Sequence, residues 1–492
     1  MIIPANFEKD IGSFVHKTMQ TWNIPGLALV VVKDDEMLTK GYGVRDMNKP
    51  DKVDEHTLFA IGSNTKAFTA TAVGLLVQEG KLSWDDPVTK YIPDFQLHDP
   101  HTTQLITIRD LLCHRSGLGT WAGDVLLLSS YPTEEVVRRL RHIPPNYNFR
   151  AGYGYSNLMF ITVGLVTETV SGMSWDDFIR QRIFEPLGMT DSVTNPRYLL
   201  DRKNIAAPHE DVRGKLQTVV QREDAHVGAA GSIHASAADI ARWMRLQLDN
   251  GSLDGKQLMD AAVIEETRTP HTPIRLTPVE RKLFPSRHFS AYGLGWLLND
   301  LHGRFFVRHT GGVDGMLSSV VLIPEEKIGI AVFTNKLPNA AYVSLPHYSS
   351  ELLLGLPPQD WIQMYIDLEK EENAKGEQAK QQRDEARAKD TRPSLALEKY
   401  AGAYDSAILG GATIGVLRSG SGLHIQLQAH VSISGTLEHW HYDTFLCKWD
   451  DPVLGESLIP FIGDGQGQVA EFRVKIRENW IDPLEHVFKR VK

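Results

Sequence analysis

Hydrophobic and polar residues follow two different periods along the first 357 residues of the chain. Residues 26–43 read as a strand, a polar turn and a second strand. The run from Asn64 to Leu82 instead carries apolar residues at helical spacing. Similar patterns predict helices over 107–113, 133–142, 158–171, 174–184 and 237–248, and strands over 304–309, 318–323 and 328–334. Strands at both ends with helices between them predict an α+β domain whose sheet joins the N-terminal and C-terminal parts.

The character of the chain changes over residues 358–392. Large apolar residues become rare after Leu368, and Glu, Lys, Gln and Arg take their place. Two pairs have the four-residue spacing that supports an exposed helix: Glu371 with Lys375, and Glu385 with Lys389. This pattern predicts a solvated helical linker with a weak point at Gly376 and an end at Pro393.

The remaining residues, 393–492, read as short strands separated by glycine-rich turns. The alternation of apolar and polar residues over 423–428 is typical of a half-buried strand. We therefore expect a small antiparallel β-barrel here. The predicted organisation is a large α+β domain over 1–357, a charged helical linker over 358–392 and a barrel domain over 393–492.

Charge and segment patterns exclude several classes of protein. The formal net charge of −9 argues against nucleic acid as the main partner, because phosphate binding needs a basic face. No stretch reaches the roughly 20 apolar residues that a membrane span requires. Residues 1–20 lack the pattern of a signal peptide. We expect a cytoplasmic protein with no membrane partner, although a trimmed secreted form would show the same pattern.

Neither the cysteines nor the paired histidines of the chain predict a metal site. Cys113 and Cys447 lie far apart in the sequence and are interpreted as buried thiols. His439 and His441 share one face of a predicted strand without a third ligand, so they are interpreted as ordinary barrel residues. We expect no metal and no cofactor.

Ser63 and Lys66 form the only Ser-x-x-Lys sequence in the chain. If a helix begins at Ser63, the two side chains lie on one face, a turn apart. A serine hydroxyl needs a nearby base to attack a carbonyl, and a lysine serves as one when burial lowers its pKa. The alternative is a helix-capping serine with an unrelated surface lysine.

Two further segments place polar groups and glycines where a substrate could lie. Tyr155 and Asn157 follow a glycine-rich segment and precede an apolar helix, which puts a hydroxyl and an amide at a loop end. His309, Thr310, Gly311 and Gly312 end a predicted strand, and the glycines allow a close approach of backbone. The alternatives are a core tyrosine and a plain strand turn.

Taken together and in this order, these residues resemble the serine β-lactamase and penicillin-binding-protein superfamily. The similarity is strongest to its class C-like branch, which includes β-lactamases, family VIII esterases, D,D-carboxypeptidases and D-amino-acid peptidases. Matching phrases begin at Phe59, Thr107, Ile183, Ala229, Tyr292 and Ile323. The tail from Leu397 is similar to the lipocalin-like domain attached to some of these hydrolases.

The resemblance implies a role for each residue of these motifs. Ser63 would attack the carbonyl while Lys66 and Tyr155 share the general base and acid duties, with their division left open. Asn157 would orient Lys66 or the substrate amide, and the N–H groups of Ser63 and Gly312 would form the oxyanion hole. His309, beside Thr310 and Gly311, stands where lactamases keep a lysine. An imidazole is mostly neutral at pH 7, so we rank β-lactams below esters and peptides.

The predicted function is a serine hydrolase that forms an acyl-enzyme and cleaves an ester or an amide or peptide bond. Two alternatives stay open: an acyltransferase acting on a natural product, and a non-catalytic scaffold that kept the fold. The substrate would be a small molecule or peptide, selected by loops over 119–131 and 265–290. The second loop carries several prolines and is long enough to act as a lid or wall. The sequence also leaves a homo-oligomer open.

Overall fold

The computed structural model describes residues 3–4, 6–212, 214–220, 228–430, 432–476 and 482–491. The helices of this part of the chain are α1 Phe7–Trp22, α2 Thr65–Gln78, α3 Pro100–Leu105, α4 Ile108–Leu112, α5 Thr133–Arg139, α6 Asn157–Ser171, α7 Trp175–Ile179, α8 Glu185–Leu187, α9 Gly228–Gly231, α10 Ala237–Leu248, α11 Ala261–Thr267, α12 Pro278–Leu283, α13 Ala341–Leu353, α14 Trp361–Glu385 and α15 Leu397–Tyr400.

The strands divide between a sheet-and-helix domain and a barrel. The first group comprises β1 Gly26–Lys33, β2 Glu36–Gly43, β3 Phe59–Ala60, β4 His209–Val212, β5 Lys215–Thr218, β6 His234–Ala235, β7 Ser252–Leu253, β8 Lys256–Gln257, β9 Thr272–Ile274, β10 Ser290–Tyr292, β11 Leu297–Leu301, β12 Arg304–Val313, β13 Met316–Ile323, β14 Ile328–Thr334 and β15 Lys336–Leu337. The barrel comprises β16 Gly402–Ser406, β17 Gly410–Val416, β18 Leu423–Leu427, β19 Ser434–His441, β20 Thr444–Trp449, β21 Glu456–Gly463, β22 Val469–Val474 and β23 His486–Arg490.

The main sheet joins the two ends of the first domain, as the sequence predicted. Its order is β2-β1-β14-β13-β12-β11-β10-β9, with antiparallel neighbours. Side chains of β1 alternate between two buried layers, because successive residues of a strand point to opposite faces. One layer lies under α2, α6 and α10, and the other under α1, α13 and α14. The predicted α+β class is therefore confirmed.

Several predicted helix boundaries in this domain are wrong. The helix predicted from Asn64 to Leu82 begins at Thr65, after a tight 3-10 turn over Gly62–Asn64, and ends at Gln78. The helix predicted over 133–142 ends at Arg139 and closes in a 3-10 turn. Within 174–184, α7 widens into a π turn after Ile179. Such end effects depend on local hydrogen bonding rather than on the apolar period.

The two segments predicted as substrate loops hold more structure than expected. Residues 265–290 contain the end of α11, the edge strand β9 and the helix α12. Residues 119–131 contain a 3-10 turn over Asp124–Leu128. Residues 265–290 therefore consist partly of regular elements, one of which is the edge strand of the main sheet.

The linker forms one continuous helix, α14, which passes through Gly376 without a break. The two predicted four-residue ion pairs are wrong. Lys375 pairs with Glu372, whereas Glu371 accepts a hydrogen bond from Lys282 of α12. Further along, Glu385 accepts from Gln381, and Lys389 lies beyond the helix end. Long charged side chains on an exposed helix choose among several neighbours, so spacing alone does not fix their partners.

Contacts anchor α14 at both ends. Near its start, the Trp22 indole of α1 donates to Glu369 at 2.9 Å. Near its end, Arg383 pairs with Glu456 of the barrel at 3.1 Å. The middle of the helix is exposed. At 1.5 Å per residue, α14 is a spacer of about 37 Å between the two domains.

The C-terminal strands close into a barrel in which each neighbouring pair is antiparallel. The barrel docks on the first domain through backbone and side-chain hydrogen bonds. Ser130 N donates to Ala429 O at 2.7 Å, and Arg139 donates to Ile408 O at 3.0 Å. The predicted barrel is confirmed, while its likeness to lipocalins stays a prediction. Cys113 and Cys447 are both buried free thiols, as expected.

Among the described residues, no single helix is both long enough and apolar enough to cross a membrane. Two consecutive helical segments, Asn157–Ser171 and Trp175–Leu187, reach that length and apolarity only together, and they are bent by 75° relative to each other.

Candidate active site

Ser63 lies in the tight turn that leads from β3 into α2. The turn needs glycine at Gly62, whose φ is +52° and whose Cβ would lie 2.7 Å from the backbone nitrogen of Gly312. Gly311 is equally constrained, because a Cβ there would lie 1.9 Å from the carbonyl oxygen of Ile61. The end of β12 therefore packs against the backbone just before Ser63. Any residue other than glycine at positions 62 and 311 would prevent so close an approach.

Lys66 is fully buried one turn after Ser63. Its Nζ lies 3.0 Å from Ser63 Oγ, 2.6 Å from Asn157 Oδ1 and 2.7 Å from the Ala230 carbonyl oxygen. Burial lowers the pKa of Lys66 to about 7, against the opposing effect of Asp124. A neutral amine has two N–H groups and one lone pair. Asn157 and Ala230 can accept both N–H groups, which leaves the lone pair for the Ser63 hydroxyl.

Asn157 connects Lys66 to a buried carboxyl group. Its Nδ2 donates to Asp124 Oδ2 at 2.6 Å, which fixes the orientation of the amide. Burial raises the pKa of Asp124 to about 7, although the Asn157 hydrogen bond lowers it and Asp482 of the barrel domain raises it further. The other oxygen, Oδ1, is buried without a hydrogen-bond partner among the described residues.

Tyr155 lies across the site from Lys66 at the loop end before α6. The Lys66 Nζ is 4.8 Å from the centroid of its ring. Burial raises the pKa of the Tyr155 hydroxyl well above its usual value, despite a hydrogen bond with Ser63 that lowers it. The hydroxyl therefore keeps its proton near neutral pH. The ring packs on His114 with centroids 4.4 Å apart, and His114 accepts a hydrogen bond from Ser156 N.

His309 lines the site but directs both ring nitrogens to the protein. Its Nδ1 lies 2.6 Å from the Thr310 carbonyl oxygen, and its Nε2 lies 2.8 Å from the Tyr292 hydroxyl. Burial, with repulsion from Lys66, lowers the pKa of His309 to about 3. The ring is therefore neutral near pH 7. Because a carbonyl only accepts, the proton sits on Nδ1 and the Tyr292 hydroxyl donates to Nε2.

The structure gathers every predicted site residue except Lys66 on the wall of one cavity of about 530 Å³. These wall residues are Ser63, Tyr155, Asn157, His309, Thr310, Gly311 and Gly312. Lys66 lies buried behind Ser63. The cavity is large enough for a small-molecule or peptide substrate.

Three groups of the site escaped sequence reasoning. Asp124 lies inside the segment 119–131 that was assigned to substrate choice, but a single aspartate in a loop carries no spacing signal. Ala230 contributes only a carbonyl oxygen, which no side-chain pattern reveals. Tyr292 belongs to a phrase that matched the superfamily without an assigned role, and its contact with His309 joins β10 to β12 across the intervening strand β11.

The model of the family described as Beta-lactamase matches residues 12–352. The chain belongs to this family. A second model, described as a domain of unknown function (DUF3471), matches residues 386–486. The predicted membership of the β-lactamase and penicillin-binding-protein superfamily is thereby confirmed.

Curated relatives include proteins named as hydrolases. The chain is similar to the unguisins hydrolase of Aspergillus violaceofuscus, with 29% identity over 74% of this chain and 68% of that protein. A second unguisins hydrolase, from Aspergillus campestris, is 31% identical over 74% of this chain and 69% of its own length. The protein flp of Staphylococcus aureus is 27% identical over 68% of this chain and 64% of its own length.

Two solved structures share the fold of the whole chain. The octameric penicillin-binding protein homologue from Pyrococcus abyssi superposes with a TM-score of 0.65 and 22% identity, covering 98% of this chain and 99% of that one. SurE superposes with a TM-score of 0.57 and 19% identity, covering 99% of both chains. Both proteins therefore match the barrel domain as well as the first domain.

Proposed function

We propose that this protein is a serine hydrolase that forms an acyl-enzyme on Ser63 and cleaves an ester or an amide or peptide bond. One observation carries the proposal: the Lys66 amine, with its pKa lowered to about 7, lies 3.0 Å from Ser63 Oγ. A base works best when its pKa lies near the working pH. The hydrolase names of two relatives support the same reaction class.

In the acylation step, Ser63 Oγ attacks the substrate carbonyl and its proton passes to Lys66 Nζ. The negative charge on the carbonyl oxygen would be stabilised by the N–H groups of Ser63 and Gly312. The close approach of the Gly312 nitrogen to Gly62, the residue before Ser63, supports this assignment. Loss of one such donor costs about 3 kcal/mol in serine hydrolases. Protonated Lys66 stays held by Asn157 and Ala230.

When the intermediate collapses, the bond to the leaving group breaks and that group takes a proton. Tyr155 is suited to supply it, because burial keeps its hydroxyl protonated. Tyr155 then regains a proton from Lys66, which returns to the neutral amine. Water attacks the acyl-enzyme with the same groups acting in reverse order, and Ser63 is restored.

We expect the site to prefer esters and peptides to penicillins. His309 is neutral and both its ring nitrogens are engaged. It therefore offers no positive charge to the carboxylate of a β-lactam. We expect β-lactamase activity to be weak or absent.

Intact-protein mass spectrometry tests the proposal. Wild type and Ser63→Ala are incubated with a fluorophosphonate, a p-nitrophenyl ester, a D-amino-acid amide, a D-Ala-D-Ala peptide and a penicillin. We expect a fluorophosphonate adduct on wild type alone, and turnover of an ester or amide by wild type alone. An adduct of equal extent on both proteins, or none on wild type, would count against Ser63 as the nucleophile and favour the scaffold alternative.

A further inference from the structure

Arg308 precedes His309 on β12 and lies beside the wall of the cavity. It pairs directly with Leu297 of β11, so the two side chains share one face of the sheet. Thr310 lies two residues along the same strand and on the same face. Both Leu297 and Thr310 line the cavity. Arg308 is thus flanked on two sides by residues of the cavity wall.

The Arg308 guanidinium group has fewer hydrogen-bond and ion-pair partners than a buried charge normally has. It lies deep in the protein, and burial lowers its pKa, yet part of its surface stays accessible. Its Nε donates to Asn299 Oδ1 at 2.8 Å. Among the described residues, no carboxylate forms an ion pair with it, and its two terminal nitrogens make no hydrogen bond. Buried charges in proteins are normally paired.

The groups around Arg308 leave an excess of positive charge. Glu280 of α12 acts on it electrostatically, but that carboxylate also faces the buried Arg287 at 3.5 Å. The hydroxyls of Tyr365, Tyr342 and Tyr153 also act on Arg308 electrostatically, and the last two tyrosines line the cavity. One carboxylate therefore serves two guanidinium groups, and Arg308 lies next to four residues of the cavity wall: Leu297, Thr310, Tyr153 and Tyr342.

We propose that Arg308 binds a carboxylate of the substrate, with Tyr153 and Tyr342 beside it, so that this enzyme prefers acidic esters or amides. The inference rests on the proposed function of Ser63. Arginine suits the task because its planar group donates two parallel hydrogen bonds to a carboxylate. His309, neutral and fully engaged, leaves Arg308 as the cation placed to recognise an acid along this strand.

The test uses two pairs of ester series. In the first, the acyl part carries the acid: p-nitrophenyl monoesters of succinate, glutarate and adipate, against the same compounds capped as methyl esters. In the second, the leaving group carries it: 3-carboxy-4-nitrophenyl butyrate against 4-nitrophenyl butyrate. The series separate an acid on the acyl side from one on the leaving side.

The variants are Arg308→Met, which keeps an unbranched stem and removes the guanidinium group, and Arg304→Met as a control. Arg304 lies on the same strand but is exposed and pairs with Glu326. We expect wild type to prefer acidic over neutral esters in one series. Arg308→Met should reduce kcat/KM for those acids about 10- to 100-fold, mainly through KM, as the loss of a charged hydrogen bond predicts. Neutral esters, and all esters in Arg304→Met, should change less than about 3-fold.

Two results would overturn the assignment of Arg308. One is an equal loss on acidic and neutral esters in Arg308→Met, which would show a structural role. The other is a wild-type enzyme without preference for any acid. A binding measurement separates a wrong assignment of Arg308 from a wrong assignment of Ser63 as nucleophile, because it does not depend on turnover. Calorimetry of free glutarate and adipate on Ser63→Ala, with and without Arg308→Met, should show binding that the second substitution removes, and no difference between the two proteins would contradict the proposal.

Discussion

The aromatic cluster inside the barrel and the interior behind Ser63 differ in the groups that they bury. In the cluster, Phe472 packs on Tyr404, Phe461 and Phe488, with ring centroids 4.9, 5.5 and 4.7 Å apart. The one hydroxyl in this group is satisfied, because Tyr404 donates to the Tyr400 carbonyl oxygen at 2.7 Å. The result is a core with no polar group left over in this cluster.

The interior behind Ser63 instead buries groups that can carry charge. Lys66, Asp124 and His309 lie within one connected site, and burial shifts the pKa of each toward its neutral form. Asp124 Oδ1 and His114 Nε2 are buried without a hydrogen-bond partner in the described residues. Unsatisfied buried atoms cost stability, and they also occur outside the site, as at His430 of the barrel domain. The shifted pKa values of three groups in one connected site are what mark this interior for chemistry. Substitutions behind Ser63 should therefore change mainly activity, whereas substitutions in the aromatic cluster of the barrel should change mainly stability.

The largest effect is expected for Lys66→Met and Tyr155→Phe. Each should lower kcat/KM by at least about 1,000-fold, since such groups act as a unit. In Lys66→Met, removal of a buried ionisable group opposes the loss of three hydrogen bonds, so the free energy of unfolding should change by less than about 2 kcal/mol. Steady-state kinetics and urea denaturation provide the measurements.

The matched control is Lys90→Met, which removes an exposed lysine paired with Asp86. It should leave kcat/KM within about 2-fold of wild type, as surface pairs contribute little. Near-normal rates in Lys66→Met would break the contrast between the two interiors, because the base would then lie elsewhere.

Phe472→Ala should have the opposite signature. Deletion of a buried ring lowers the free energy of unfolding by about 3–5 kcal/mol. The substitution should destabilise the barrel, while kcat/KM for a neutral ester stays within about 3-fold of wild type. Hydrogen exchange measured by mass spectrometry separates barrel peptides from those of the first domain. Phe289→Ala, at a 39% exposed phenylalanine, is the control and should leave exchange unchanged. Unaltered exchange in Phe472→Ala would show that the ring cluster does not hold the barrel together.

The smallest effect concerns pH. Lys66 is active as the neutral amine, so kcat/KM should rise with pH through a midpoint near 7. Asp124 raises the pKa of Lys66, so Asp124→Asn should move the midpoint to lower pH, by less than one unit. Asn can still accept from Asn157, which preserves the geometry. Asp177→Asn, at an exposed ion pair, should leave the midpoint in place, and a shift to higher pH in Asp124→Asn would contradict the assignment.

Much of the fold could be predicted from the period of the apolar residues. The strands 26–43, 318–323 and 328–334 lie in the sheet within a few residues of their predicted bounds, because buried strands are long apolar runs. Helix ends were less predictable, as at Arg139, where the last turn tightens for reasons outside the pattern. The i,i+4 pairs failed in the same way, since exposed charges choose partners in three dimensions.

The candidate site was predictable only where its residues are close in the sequence. Ser63 and Lys66 form a spacing that a helix turns into a contact, and the structure shows that contact. The Nε2 atom of His309 is engaged by the Tyr292 hydroxyl, which only the sheet brings near. Likewise, the proposed role of Arg308 depends on Leu297 and Thr310, which lie on the same face of the sheet. It also depends on the lack of a paired carboxylate among the described residues. Such relations belong to tertiary structure.

The unbroken helix α14 sets a rule for how the length of this chain can change. Each residue of a helix adds 1.5 Å and turns the rest of the chain by about 100°. Removal of two residues would swing the barrel by about 200°, away from Ser130 and Arg139 on which it docks. Removal of seven would restore the angle to within about 20° but draw the barrel about 10 Å closer. The exposed middle of α14 can therefore vary in sequence, whereas the length of the helix is fixed by the docking contacts. An insertion or deletion in α14 requires a matching change at the interface between barrel and first domain.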